Sequence, residues 1–149
     1  MMAQTLSLNL VHIVFSTKQR EPLIEEGIGP ALHAYLAGTA RRLDCECFRV
    51  GGIQDHVHLA LRLASTRTSA KVVSELKTAS SVWMKEQGVV GFAWQRGYGL
   101  FSVGPVDLGA LMQYIDGQRQ HHAKRSFQDE MRGFCEKYHM VIDERYVWD

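Results

Sequence analysis

His56 and His58 flank Val57 in the segment Gly51-Gly52-Ile53-Gln54-Asp55-His56-Val57-His58-Leu59. Residues two apart on a strand face the same side, so both imidazoles point one way. About sixty residues further on, Tyr114 and Gln118 stand four apart, which stacks them on one face of a helix. Two imidazole nitrogens and one amide oxygen suit a hard divalent ion, Mg²⁺ or Mn²⁺, with Mn²⁺ the more tolerant of imidazole. A phenol beside such an ion supplies the parts for attack on a phosphodiester: a cation to polarise the phosphate and an oxygen nucleophile. Each part alone also has a plainer reading. The histidines fit a half-exposed strand face, Gln118 a helix-surface amide, and Tyr114 a core or rim tyrosine. Two imidazoles are in any case too few ligands for a stable site, so a third must come from elsewhere.

The elements that must position these groups can be read from patterning. Residues 5–16 begin in alternation and turn mostly apolar, which predicts a strand. Residues 25–43 place Ile28, Leu32, Tyr35 and Leu36 at helical spacing, and residues 45–53 and 56–63 read as two strands joined at Gln54-Asp55. A second helix is expected from Thr66 to Gln87, with Val72, Leu76, Ala79 and Trp83 inward and Gly88 closing it. Short strands are expected at 92–95 and 98–103, then a third helix from Pro105 to about Lys124 carrying Tyr114 and Gln118. Ser126 with Asp129 starts a fourth helix, whose inward face is Phe127, Met131, Phe134 or Cys135, and Tyr138. This order predicts an α+β fold. Its unit is a split β-α-β (ferredoxin-like or RRM-like) antiparallel sheet with helices on its faces, and the C-terminal tyrosine-bearing helix is an addition. One domain is expected over residues 1–149.

Composition narrows the functional classes. No apolar run approaches the ~18 residues a membrane span needs, and the segment from Met1 to Lys18 has no basic leader, so a cytoplasmic protein without membrane partners is expected. Cys45, Cys47 and Cys135 lack zinc-knuckle spacing and read as reduced thiols. The net charge of +1 gives bulk electrostatics little to offer a polyanion. Residues 1–85 nevertheless hold ten Lys/Arg against seven Asp/Glu, so a basic surface would draw on Lys18, Arg20, Arg41, Arg42, Arg62, Arg67, Lys71 and Lys77. No phosphate-binding glycine loop is present, and no nucleotide cofactor is expected.

Several motifs in order then resemble one family. The segments are Phe15-Ser16-Thr17-Lys18-Gln19-Arg20-Glu21-Pro22-Leu23-Ile24, Gly51 to Leu59, Phe92-Ala93-Trp94-Gln95, Gly97 to Val103, Tyr114-Ile115 with Gln118 and His121-His122, and Asp143 to Trp148. Over nearly the whole chain they are similar to the single-tyrosine HUH transposases of insertion sequences that move as single-stranded DNA, relatives of the REP-associated tyrosine transposases. The resemblance implies that His56, His58 and Gln118 hold Mg²⁺ or Mn²⁺ and that Tyr114 is the nucleophile, forming a 5′-phosphotyrosine. His121 and His122 match a trailing histidine pair without an assigned step, with a supporting place behind the ligands open to them. The implied substrate is a single-stranded DNA hairpin, with Lys18, Arg20, Arg62, Arg67 and Lys71 as candidate DNA contacts. The implied assembly is a homodimer in which each tyrosine helix completes the partner's site. Two other readings stay open: an inactive relative that binds nucleic-acid hairpins without cutting, and a small zinc hydrolase using His56, His58 and one of His121 or His122.

Overall fold

The structure is a computed structural model that describes residues 3–149. Strand β1 (Leu10–Ser16) leads into helix α1 (Gly29–Arg42), the strand pair β2 (Glu46–Ile53) and β3 (His56–Arg62), helix α2 (Ser69–Glu86) and strand β4 (Gly99–Ser102). Three shorter helices follow: α3 (Leu108–Asp116), α4 (Gln118–His122) and α5 (Phe127–Lys137). The sheet order is β2-β3-β1-β4 with every pair antiparallel, which is the split β-α-β arrangement expected. Among the described residues no helix is long and apolar enough to cross a membrane.

Alternation divides the sheet into two faces. Val11, Ile13 and Phe15 of β1 and Val57, Leu59 and Leu61 of β3 join Leu32, Leu36, Val72 and Leu76 in the main core beneath α1 and α2. The opposite face carries His12, Val14 and Ser16 of β1 and His56 and His58 of β3. There Val14 packs in a smaller cluster with Phe101, Phe127 and Met131. Because both faces are covered, every residue of β1 is buried. Burial of β3 likewise explains why it reads as a near-continuous apolar run broken only by its histidines.

Four details depart from the sequence expectation. β1 starts at Leu10 rather than residue 5: its last tie to the β3 side is Leu63 N–H donating to Asn9 O at 2.9 Å, and residues 3–9 have no strand to pair with. On α2 the inward side is Val72, Val73, Leu76, Ser80 and Met84, a face turned slightly from the expected one; Trp83 lies at its edge, stacked on Tyr35 at 5.1 Å. Residues 92–95 form only an isolated bridge, Thr17 to Trp94, and are pinned by side chains. Trp94 packs edge-on to Phe15 and Phe92, and its Nε1–H donates to Ser80 Oγ at 2.9 Å. Finally, the expected helix over 105–124 is broken. A 3₁₀ turn spans Pro105–Asp107, α3 ends at Asp116, and Gly117 caps it before α4 resumes.

The turn between β2 and β3 depends on one glycine. Gly52 has φ of +152°, and a Cβ there would meet the His56 carbonyl oxygen at 2.2 Å. No side chain can shift to relieve a clash with backbone. Gly52→Ala is expected to destabilise the fold by about 3 kcal/mol or more, read as a drop in the thermal midpoint, and an unchanged midpoint would contradict the pairing of Gly52 with Val57.

Candidate metal centre and tyrosine site

Register places the histidines at the centre of the second face. His56 lies opposite Ser16 on one side and Ile53 on the other; His58 lies opposite Val14 and Gly51. Gly51 is the landing point for α3. A Cβ on it would sit 2.7 Å from Ile115 Cγ2 and 3.0 Å from the Ile115 carbonyl oxygen. With Ile115 seated there, the Tyr114 ring stands 5.7 Å from the His58 ring. Arg49 of β2 adds a surface ion pair to Asp116 at 3.1 Å, holding the end of the same helix.

His56, His58, Tyr114 and Gln118, expected to meet, are brought together within this one chain. Gln118 is buried and its Oε1 lies 2.9 Å from His56 Nε2. His121 and His122 also reach the site: His121 Nε2 is 3.3 Å from the Tyr114 hydroxyl, and the His122 ring is 4.4 Å from that of His56. Three participants escaped the sequence reading. Asp55 Oδ1 accepts from His56 Nδ1–H at 2.7 Å. His12 on β1 shares a 2.7 Å hydrogen bond between its Nε2 and His58 Nδ1. Most central is Glu130 of α5, a carboxylate only 1% exposed. Its Oε1 lies 3.1 Å from His58 Nε2, 3.2 Å from His122 Nε2 and 3.5 Å from His56 Nε2. Its Oε2 accepts a short hydrogen bond from the Tyr114 hydroxyl and another from Gln118 Nε2 at 3.2 Å.

The signals for His12 and Glu130 were faint but physical. His12 is the one polar ring in the apolar run of β1, and Glu130 sits on the apolar face of α5 among Phe127, Met131 and Phe134. Ionisable groups in such places are seldom buried without partners.

The donor set suits a cation. With Nδ1–H given to Asp55, His56 Nε2 presents a lone pair toward the Gln118 oxygen, and two acceptors in contact call for a positive charge between them. His122 Nε2 is buried, and although Glu130 is near it has no aligned hydrogen-bond partner among the described residues. His56, His58, His122 and Glu130 offer ligand atoms all within 4.8 Å of one another.

Burial and this charge cluster set the ionisation states. Burial first, then the neighbouring His58, push His12 down to about 3; burial likewise takes His58 to about 4 against the pull of Glu130. Burial would raise the Glu130 carboxyl, but the close imidazoles of His122 and His58 outweigh it and hold the group well below the usual carboxylate range. Burial and the Glu130 contact push the Tyr114 phenol well above its ordinary value. His12 and His58 therefore stay neutral in the fold while an unfolded chain protonates them near pH 6.5. Their contribution is complete above pH 6.5 and is lost as pH falls toward 3–4. Each steepens the decline by up to about 1.4 kcal/mol per pH unit. Urea unfolding of the metal-free protein at pH 7 and pH 5 should show this loss, and His12→Gln should flatten it.

Beside Tyr114 lies a cavity of about 580 Å³, lined in part by His12, Phe134, Lys137 and Tyr138. The candidate DNA-contacting residues are spread more widely. Lys18, Arg62, Arg67 and Lys71 are exposed, whereas Arg20 is half-buried beneath Trp148 at 6.0 Å. Arg67 and Lys71 have surface partners in Asp44 and Glu75. Lys77 has a structural position: its Nζ donates to the carbonyls of Gln95, Arg96 and Gly97, and burial brings its ammonium down to about 8.

Comparisons with known proteins agree with this fold. Residues 5–118 match the family described as "Transposase IS200 like". A crystal structure of a putative transposase from Deinococcus radiodurans superposes with a TM-score of 0.61 at 22% identity, covering 79% of this chain and 96% of that one. A REP-associated tyrosine transposase bound to a REP hairpin gives 0.59 at 14% identity, covering 82% of this chain and 74% of the other. No curated protein matches the chain. At these identities the two structures speak for the α+β fold, and the family match, spanning most of the sequence and reaching from β1 through both histidines and Tyr114 to Gln118, speaks for descent: the chain belongs to the IS200-like transposase family.

Proposed function

We propose that this transposase cuts and rejoins single-stranded DNA at hairpin-bearing ends of an insertion sequence, with Tyr114 as nucleophile. The observation that carries the reading is the Tyr114 hydroxyl, aimed at a buried histidine cluster and held there by Glu130 and His121. His56, His58 and Gln118 would hold Mg²⁺ or Mn²⁺, which supplies polarisation of the scissile phosphate. The chain's own groups do the rest. Tyr114 oxygen bonds to phosphorus, the 3′ oxygen leaves, and the products are a 5′-phosphotyrosine and a free 3′-OH. As the new bond forms the phenol becomes more acidic, its proton passes to the Glu130 oxygen already accepting it, and the departing 3′ oxygen takes up a proton from solvent. Phosphodiester energy is kept in the adduct, so attack by another 3′-OH rejoins the strand without a nucleotide cofactor.

The cavity beside Tyr114 suits an unpaired nucleotide, with Phe134 and Tyr138 available for base stacking and Lys137 for phosphate. Lys18, Arg20, Arg62, Arg67 and Lys71 are the further contacts proposed for the hairpin backbone. Tyr114 lies against the histidines of its own chain, so each copy of a homodimer would carry a complete site unless the tyrosine helices exchange. Mixed Tyr114→Phe and His56→Ala subunits test this: own-chain catalysis leaves the mixture inactive, and recovered cleavage signals exchange. The reading as a whole is tested by incubating the protein with single-stranded DNA from either flank of its gene and Mn²⁺, then seeking a covalent adduct on a denaturing gel. DNA shifted without adduct favours a binding protein. Cleavage without adduct that survives Tyr114→Phe favours a hydrolase.

A further inference from the structure

We propose that His122 and Glu130 are ligands of the metal ion together with His56 and His58, and that Glu130 simultaneously grips the Tyr114 phenol, so that one carboxylate joins the cation to the nucleophile. This rests on the metal-assisted reading above and enlarges its ligand set from three donors to five.

Three imidazole nitrogens surround a single carboxylate oxygen: His58, His122 and His56 Nε2 lie 3.1, 3.2 and 3.5 Å from Glu130 Oε1. An ion bound at about 2.0–2.2 Å by nitrogen and oxygen ligands holds neighbouring donors about 2.8–3.6 Å apart, from octahedral to tetrahedral geometry. The three observed separations fall within that range. The four ligand atoms all lie within 4.8 Å of one another, so modest inward turns of the imidazoles suffice to close the set. Three of the four side chains are buried and the fourth, His122, is nearly so at 4% exposure. A merely structural ion pair gives no reason for a third imidazole whose Nε2 lacks an aligned hydrogen bond.

The outer contacts are those of ligands already oriented. Asp55 fixes Nδ1 of His56, and His12 fixes Nδ1 of His58, which turns both Nε2 atoms toward Glu130. Glu130 is placed by its helix: α5 is capped by Ser126 Oγ accepting from Asp129 N–H, and Phe127 and Met131 anchor it beneath Val14. Its second oxygen is the one that accepts from Tyr114 and Gln118. A site rich in imidazole favours first-row transition ions over Mg²⁺, which prefers oxygen and retains its waters. Mn²⁺ or Zn²⁺ is therefore the expected occupant.

The test uses the full chain stripped with chelator and titrated with Mn²⁺ and Zn²⁺ by calorimetry, comparing wild type with His56→Ala, His122→Ala and Glu130→Gln. Folding of each is checked by circular dichroism. Both His122→Ala and Glu130→Gln should weaken binding by about tenfold or more, and Mg²⁺ in large excess should not displace Mn²⁺. Wild type loaded with Co²⁺ offers a second readout independent of any variant. A nitrogen-rich site of low coordination number gives intense visible bands, and a water-rich octahedral one gives weak bands. Unchanged affinity in His122→Ala and Glu130→Gln, with binding lost in His56→Ala, would overturn the enlarged site and leave the three-donor reading standing. Failure of wild type to bind any of these ions would overturn both.

Discussion

Tyr114→Phe should leave a folded protein that forms no covalent adduct with DNA and rejoins no strands. Removing a nucleophile costs at least about a thousandfold in rate, or about 4 kcal/mol of transition-state stabilisation. No other hydroxyl is seen to replace it: among the described residues, the groups contacting Glu130 besides Tyr114 are imidazoles and the Gln118 amide. The fold should tolerate the change. The ring keeps its place against His12, His58 and Phe134, and Glu130 Oε2 retains the Gln118 amide. A thermal midpoint within a few degrees of wild type, with adduct formation abolished, is the expected pair of results. Cleavage at a wild-type rate would return Tyr114 to a packing role.

Gly51→Val should be nearly as damaging without touching any reacting group. Its Cβ would enter the van der Waals space of Ile115, reaching both the side chain and the carbonyl oxygen of α3. The helix must then withdraw from β2, carrying Tyr114, which immediately precedes Ile115. A displacement of about 1 Å is enough to cost roughly a hundredfold in rate, and overpacking should lower stability by about 1–3 kcal/mol. Gly117→Ala is the control. A Cβ there meets Gln113 O at 3.5 Å, an ordinary contact, and the backbone conformation is open to alanine. That substitution should therefore retain activity and slightly raise stability. Single-turnover cleavage and thermal melts of both variants check the contrast; comparable activity losses would detach the Gly51 contact from catalysis.

The two sides of the site were unequally legible in the sequence. Period-two alternation put His56 and His58 on one face, and the i, i+4 spacing of Tyr114 and Gln118 survives although Gly117 divides their helix. The sheet order followed from connectivity, since a helix between β1 and β2 and a tight turn between β2 and β3 leave few antiparallel arrangements. Glu130 was not legible as a site residue. It belongs to the periodic face of α5, and periodicity reports which residues point inward without saying what they meet there. His12 was hidden in the same way, because its partner lies 46 positions away and a lone histidine in an apolar strand carries no spacing motif. The break at Gly117 shows the converse limit: a glycine lowers helix propensity, but whether the helix stops depends on the docking of both halves against β2.

The position of Glu130 also bears on how the protein comes into being. His58 and Glu130 are 72 residues apart, and at about 5–20 residues per second a ribosome needs on the order of 4–14 s to make the intervening chain. Strand pairing takes microseconds to milliseconds by comparison. The hairpin of β2 and β3 can therefore be complete while α5 is still unmade, and during that interval the imidazoles lack the carboxylate that covers them. The histidine face is thus the last part of the sheet to be covered, and docking of α5, which brings Glu130 to His58 and Phe127 against His56, is the step that seals it.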